Sequence, residues 1–147
     1  MTLNTKAIQD ALVSHALSTG YFEDVLAHEP LEVTGTGITC AIWLGSGAVL
    51  PNRSGLDIVS ASLSFNIRLF TNTLQQPQDG IDIDIMDAFD GLMTAYSGDF
   101  SLGNAVSYID LMNISFNAGY VTINGTQFRL ITISLPIVSD DLWTESE

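Results

Sequence analysis

Ala61-Ser62-Leu63-Ser64-Phe65-Asn66-Ile67-Arg68-Leu69-Phe70 alternates apolar and polar side chains from Ala61 through Leu69. Side chains along a strand repeat with a period of two, so this pattern buries one strand face and leaves the other wet. The wet face carries Ser62, Ser64, Asn66 and one cation, Arg68. The strand runs into Phe70-Thr71-Asn72-Thr73-Leu74-Gln75-Gln76-Pro77-Gln78-Asp79-Gly80-Ile81-Asp82, which holds no nucleophile, metal-ligand cluster or phosphate loop. A connection of that length is functional or mobile. Beyond it, residues 84–96 set Ile85, Ala88, Phe89, Leu92, Met93 and Tyr96 on one stripe of a helix. Asp82 or Asp84 is expected to cap that helix, where acids suit the dipole, and Gly98 to end it.

Upstream, residues 38–44 form a nearly unbroken apolar run between glycines, the mark of a strand buried on both faces. Residues 45–55, with Pro51 and three glycines, read as a loop. Residues 5–19 read as a first helix with Ile8, Ala11, Leu12, His15 and Ala16 at helical spacing. Asn4 or Thr5 can cap it and Gly20 stops it. Residues 21–32 read as a connector, because Pro30 disfavours helix there.

Downstream, residues 105–112 are a candidate strand. Residues 119–123 and 126–137 flank Asn124-Gly125, the strongest short-range hairpin signal. Residues 139–147 read as an acidic tail with one tryptophan, Trp143. Adjacent strands and a tight hairpin predict an α+β fold, a mainly antiparallel β-sheet packed with two α-helices. Residues 1–147 suit one domain.

The chain has 46% hydrophobic and 14% charged residues, enough apolar material for a core and little charge for an exposed surface. Only Lys6, Arg53, Arg68 and Arg129 are strong bases, against 17 acids, and the net charge is −13. That excludes the basic footprint of a nucleic-acid binder and disfavours an anionic membrane. The acidity serves solubility, or a surface that lets DNA pass without sticking. Cys40 is the single cysteine and lies in an apolar run, where a small buried hydrophobe is expected. The start of the chain does not read as a signal peptide, and no apolar run approaches the ~20 residues of a membrane span. Without a signal peptide, the Asn-x-Ser/Thr triplets at Asn52, Asn113 and Asn124 are chance matches. A soluble protein made in a reducing cytoplasm is expected.

No catalytic constellation emerges. Asp79, Asp82, Asp84, Asp87 and Asp90 lack the turn glycine and bidentate glutamate of a calcium loop, and read as a helix cap and a solvated face. His15 lies on the apolar side of the first helix and reads as a packed or interface residue. His28, beside Glu29, reads as a loop salt bridge rather than half of an acid–base pair. The glycines make neither a dinucleotide fingerprint nor a P-loop, and no nucleophile elbow is present. The sequence therefore predicts no enzyme, no metal and no cofactor. Arg68 and Arg129 sit mid-strand, where pairing with acids across strands or subunits would fix an interface. Trp143 either tucks onto its own core or anchors the tail on a neighbour.

Several segments taken in order carry a family likeness. They are Pro51-Asn52-Arg53-Ser54-Gly55-Leu56, Arg68-Leu69-Phe70-Thr71-Asn72, Gln76-Pro77-Gln78-Asp79 and Ile81-Asp82. Leu92-Met93-Thr94-Ala95-Tyr96-Ser97-Gly98-Asp99-Phe100, Ile109-Asp110-Leu111, Ala118-Gly119-Tyr120, Phe128-Arg129, Leu135-Pro136 and Trp143 follow. Through most of its length the chain resembles the tail terminator proteins of long, non-contractile-tailed bacteriophages, especially those of actinobacterial hosts.

The resemblance implies a small α+β virion structural subunit that assembles with itself into a ring, expected to be a hexamer. The ring would sit on the head-proximal end of the tail tube, stop tube polymerisation and present a docking surface to the head-completion or connector protein. DNA would pass through its lumen without specific binding, past acids that repel phosphate. Assembly would take place in the host cytoplasm, and the finished location would be the virion tail. The interface residues expected on this footing are Arg53, Ser54, Gly55, Leu56, Arg68, Asn72, Pro77, Gln78, Asp79, Arg129 and Trp143. The alternatives are another head–tail joining or tail tube subunit, or a small-molecule-binding or enzymatic α+β domain using His28-Glu29 or Arg129.

Overall fold

The computed structural model describes residues 4–29, 37–49, 58–72, 80–99, 101–103, 106–123 and 125–144. The elements in chain order are α1 (Thr5–Thr19), β1 (Phe22–Leu26), β2 (Ile38–Val49), β3 (Ile58–Asn72), α2 (Ile81–Ser97), β4 (Tyr108–Ile109), a 3-10 turn (Leu111–Asn113), β5 (Ser115–Ile123) and β6 (Thr126–Thr144). The fold is α+β, with two helices on one mixed, curled sheet. The strand order is β1-β2-β3-β6, and β4 and β5 share the far side of β6. All pairings are antiparallel except β1 with β2.

β3 keeps the alternation read from its sequence. Phe65, Ile67 and Leu69 are buried beneath the helices with Cys40 and Ile42 of β2 and Ile131, Ile133, Leu135 and Ile137 of β6. The helices supply Ile8, Leu12 and Ala16 from α1 and Ile85, Ala88, Leu92 and Tyr96 from α2, both at helical spacing. Each fully buried large apolar side chain contributes about 1.5–3 kcal/mol relative to exposure. The Tyr96 hydroxyl donates to the Leu12 carbonyl at 3.1 Å and so ties the helices together inside the core. Burial pushes both the Tyr96 hydroxyl and the Cys40 thiol up from their ordinary pKa values. Cys40 is thereby an inert packing residue.

Asn4 caps α1, its side-chain oxygen accepting from the Ala7 amide at 3.1 Å, and Gly20 closes the helix in the left-handed conformation. α2 departs from its expected start. It begins at Ile81 behind Gly80, with no side-chain cap, and Asp82 and Asp84 lie in its first turn, where they face the positive end of the dipole.

The expected connector at residues 21–32 contains β1, whose Phe22, Val25 and Leu26 pack on the sheet while Glu23 and Asp24 stay exposed. Five residues with two adjacent acids give no clear period, which hid the strand. β2 runs on to Val49 through the glycines read as loop, because a register shift between Leu44 and Ser46 lets Gly45 act as a bulge. The two-residue hairpin closes at Ile123↔Thr126, with Gly125 at φ +79°, a value a β-carbon would disfavour.

The expected strand at residues 105–112 shrinks to β4 and the 3-10 turn, and the expected acidic tail continues as β6 to Thr144. Pro136 accounts for the break beside β6. Its carbonyl accepts from the Asp110 amide at 2.9 Å, so its nitrogen faces that same side. A proline there has no donor to offer, and the neighbouring strand is interrupted at that level between Ile109 and Ser115.

Candidate interaction surface

Opposite the helices the sheet shows its other face. Ser62, Ser64, Asn66 and Arg68 of β3 lie beside Thr132 and Ser134 of β6, through the pairs Asn66↔Ser134 and Arg68↔Thr132. The Ser64 and Ser134 hydroxyls are 2.6 Å apart and hydrogen bonded. At one end of this face Ala41, Phe70, Phe128 and Leu130 form a second buried cluster, with Leu26, Trp43, Val121 and Ile123 packed at its margin. Phe70 and Phe128 meet edge to face with ring centroids 6.4 Å apart.

Arg68 is the charged group of this face on β3. Its guanidinium carbon lies 5.3 Å from the Trp43 ring centroid. Its Nε is buried with no hydrogen-bond partner among the described residues. Trp43 was not singled out in the sequence. It is diagonal to Arg68, because Trp43 pairs with Asn66 and Ala41 with Arg68. On this face, residues 39–48 of β2, 62–72 of β3 and 128–138 of β6 carry no carboxylate.

Arg129 has the opposite environment. It projects on the helix side, donates through Nε to Asp82 Oδ1 at 2.9 Å and through Nη1 to the Gly119 carbonyl at 3.3 Å. It also stacks on Tyr120, 4.6 Å from the ring centroid. This arginine joins β6, β5 and the start of α2 within one subunit, and Asp82 serves as its anchor.

The same side holds further contacts that the sequence did not isolate. Phe89 of α2 meets Phe116 of β5, with ring centroids 4.7 Å apart. Phe116 and Tyr120 remain 47% and 64% exposed, and Met112 and Met86 are exposed near the same strand and helix. The residues fall at i and i+4 on β5, a spacing that marks one strand face once β5 is known to be a strand. His15 of α1 reaches Asp99 after α2 at 3.0 Å and sits edge-on to Tyr96. That hydrogen bond first, and the Gly103 amide second, hold the Asp99 carboxyl below the usual carboxylate range. His28 contacts the Glu29 carbonyl oxygen at 3.1 Å, a backbone contact within that loop.

Asp84 and Asp87 line a shallow depression with Tyr21, Gly37 and Ile38. Among the described residues no three His, Cys, Asp or Glu side chains converge as a metal site. Asn72 ends β3 opposite Phe128. Trp143 is placed by its backbone opposite Val59 at the far end of β6. Arg53, Ser54, Gly55, Leu56, Pro77, Gln78 and Asp79 lie outside the described residues. The structure thus separates Arg68 from Arg129, on opposite faces of one sheet.

No protein-family model and no curated protein matches the chain. Among solved structures, the fold is similar to the sheath/tube terminator of an extracellular contractile injection system, PVC, in its extended state. The TM-score is 0.53 at 10% identity, over 100% of this chain and 62% of that chain. The chain therefore spans a little under two thirds of that protein's length. A chain from the virion of a native gene transfer agent particle is also similar, with a TM-score of 0.42 at 14% identity over 92% of this chain and 96% of that chain. The first likeness shows a tail-terminator-like α+β fold.

Proposed function

We propose that this chain is a structural subunit of a phage-type tail, one that caps the head-proximal end of the tail tube as a ring. The observation that carries this is the likeness of fold along the whole chain to a protein that terminates a sheath and tube. The ordered set of sequence segments supports the same reading, through its resemblance to the terminators of long, non-contractile tails. The subunit is not an enzyme. Its surface is organised for contact with copies of itself, with the tube protein below and with the head-completion or connector protein above.

The mechanism is steric. Heterologous contacts between subunits close into a ring, expected to be hexameric, when the rotation between neighbours closes. One side of the ring matches the tube end. The other lacks the tube's addition surface, so growth stops there and the head docks. Arg68 with Trp43 offers a partner an incompletely satisfied guanidinium on an otherwise neutral face, a site suited to a carboxylate or carbonyl from a neighbour. Arg53 to Leu56, Asn72, Pro77 to Asp79 and Trp143 are assigned to neighbour contacts on the sequence likeness alone. Arg129 is assigned to shaping β5 for such a contact.

DNA passes through the lumen without being held, because the net charge of −13 opposes phosphate binding. Tight DNA binding at moderate salt would contradict that. The deciding experiment is electron microscopy of tails assembled with and without the protein. Rings at the head-proximal tube end, and overlong tubes when the protein is omitted, are expected. Incorporation along the tube, or unchanged tube lengths without it, would overturn the proposal.

A further inference from the structure

The sheet has two margins of different construction. β1 is five residues long, carries Glu23 and Asp24, and has an irregular register between Phe22 and Asp24. Shortness, charge and irregularity are the usual devices that stop a margin from pairing with another chain. β5 has none of them. Ser115-Phe116-Asn117-Ala118-Gly119-Tyr120-Val121-Thr122-Ile123 contains neither a charged residue nor a proline, pairs with β6 in unbroken register, and is largely exposed.

The hairpin fixes which backbone groups of β5 are unpaired among the described residues. In a two-residue hairpin the closing pair exchanges both hydrogen bonds, and every second pair repeats this. Closure at Ile123↔Thr126 therefore turns the amides and carbonyls of Ser115, Asn117, Gly119, Val121 and Ile123 towards β6. Those of Phe116, Ala118, Tyr120 and Thr122 turn outward. The parity of β6 agrees: Pro136 and Val138 accept from Asp110 and Ser107 on this same side of the strand.

We infer that the outer margin of β5 forms main-chain hydrogen bonds with an extended strand of a second copy of this chain. The inference deepens the ring proposal and rests on it for the identity of the partner. Charge supports a second copy as the occupant. With 17 acids against four strong bases, two copies repel wherever their carboxylates face each other. A self-contact is favoured where carboxylates are absent or neutralised, and β5 meets that condition. Asp82, which reaches this strand through Arg129, is already paired. Exposed Phe116 and Tyr120 add apolar area beside the unpaired backbone, and alternate side chains set the register of such an added strand.

Residue-resolved amide exchange, combined with mass by light scattering, tests this on the full chain. In the assembled particle the amides of Phe116, Ala118, Tyr120 and Thr122 are expected to slow by roughly tenfold or more relative to the monomer, while Asn117, Gly119 and Val121 are protected in both. Ala118→Pro removes an outward amide and no β5–β6 bond, and is expected to weaken association at least roughly tenfold. Ala118→Glu keeps the amide, adds a carboxylate at the margin and should weaken association in the same direction, so the test survives if the proline variant fails to fold. Unprotected outward amides in the particle, wild-type association by a folded Ala118→Glu, or a chain that stays monomeric at its highest soluble concentration would overturn the inference. Failure of the tube-capping reading looks different. Association and protected outward amides would persist, but microscopy would not find the particles at tube ends.

Discussion

The two faces of one sheet show how similar strand sequences acquire different work. On the helix side, Phe65, Ile67 and Leu69 meet α1 and α2 and are fully buried. On the other side, the same strand offers Ser64, Asn66 and Arg68. Their arginines make the contrast concrete. Arg129, on the helix side, has a carboxylate, a carbonyl and a ring as partners within its own subunit. Arg68, on the open side, rests on Trp43 with its Nε unsatisfied among the described residues. One face is finished by the chain's own helices, and the other carries no helix among the described residues.

The largest expected effect breaks the covered face. Leu92→Ala should lower unfolding free energy by about 2–5 kcal/mol in denaturant titration, since Leu92 is 0% exposed in the main core. A loss below about 1 kcal/mol would mean that the helix layer packs loosely. Next, Tyr96→Phe removes the hydroxyl bonded to Leu12 and should cost about 0.5–1.5 kcal/mol by the same titration. No change would show that the helix pair does not depend on that bond.

The open face should respond in the reverse sense. Arg68→Met keeps an apolar stem on Trp43 and removes a partly desolvated charge, so monomer stability should shift by less than about 1 kcal/mol. Ring assembly, followed by light scattering and microscopy, should be impaired. A large loss of monomer stability, or normal rings, would remove the distinction drawn between the two arginines.

The smallest effect concerns acid. Asp99 has its carboxyl held down by His15, so its contribution is complete above the unfolded carboxyl pKa of about 3.9 and fades as pH falls through the lower folded value. Asp99→Asn should therefore unfold slightly more easily than wild type near neutrality, and the gap should close in strong acid. A gap that widens on acidification would contradict this assignment.

Much of this was legible in the residues. The alternation of β3, the stripes of both helices, the cap at Asn4 and the Asn124-Gly125 turn follow from local periodicity and backbone preference, and they were sufficient to indicate α+β. β1 was not legible, because five residues with two exposed acids carry no period of their own. The extension of β2 was hidden by glycines that look like loop until a bulge places them in a strand. Of the candidate site, both arginines were read as strand residues, Arg68 within β3 and Arg129 near the start of β6. Their opposite roles depend on side-chain parity across β3 and β6, set by pairs such as Arg68↔Thr132 and Thr71↔Arg129 that join distant parts of the chain.

The sequence by itself determined both helices, the alternation of β3 and the hairpin turn, and a strongly acidic net charge of −13. These properties depend on neighbours along the chain or on composition alone. Only the tertiary structure decided which face of the sheet the helices cover, that Trp43 supports Arg68, that Asp82 holds Arg129, and that β5 ends the sheet with its outward amides unpaired among the described residues. Each of those depends on register between distant strands, and register is set by the collective packing of both helices on one face.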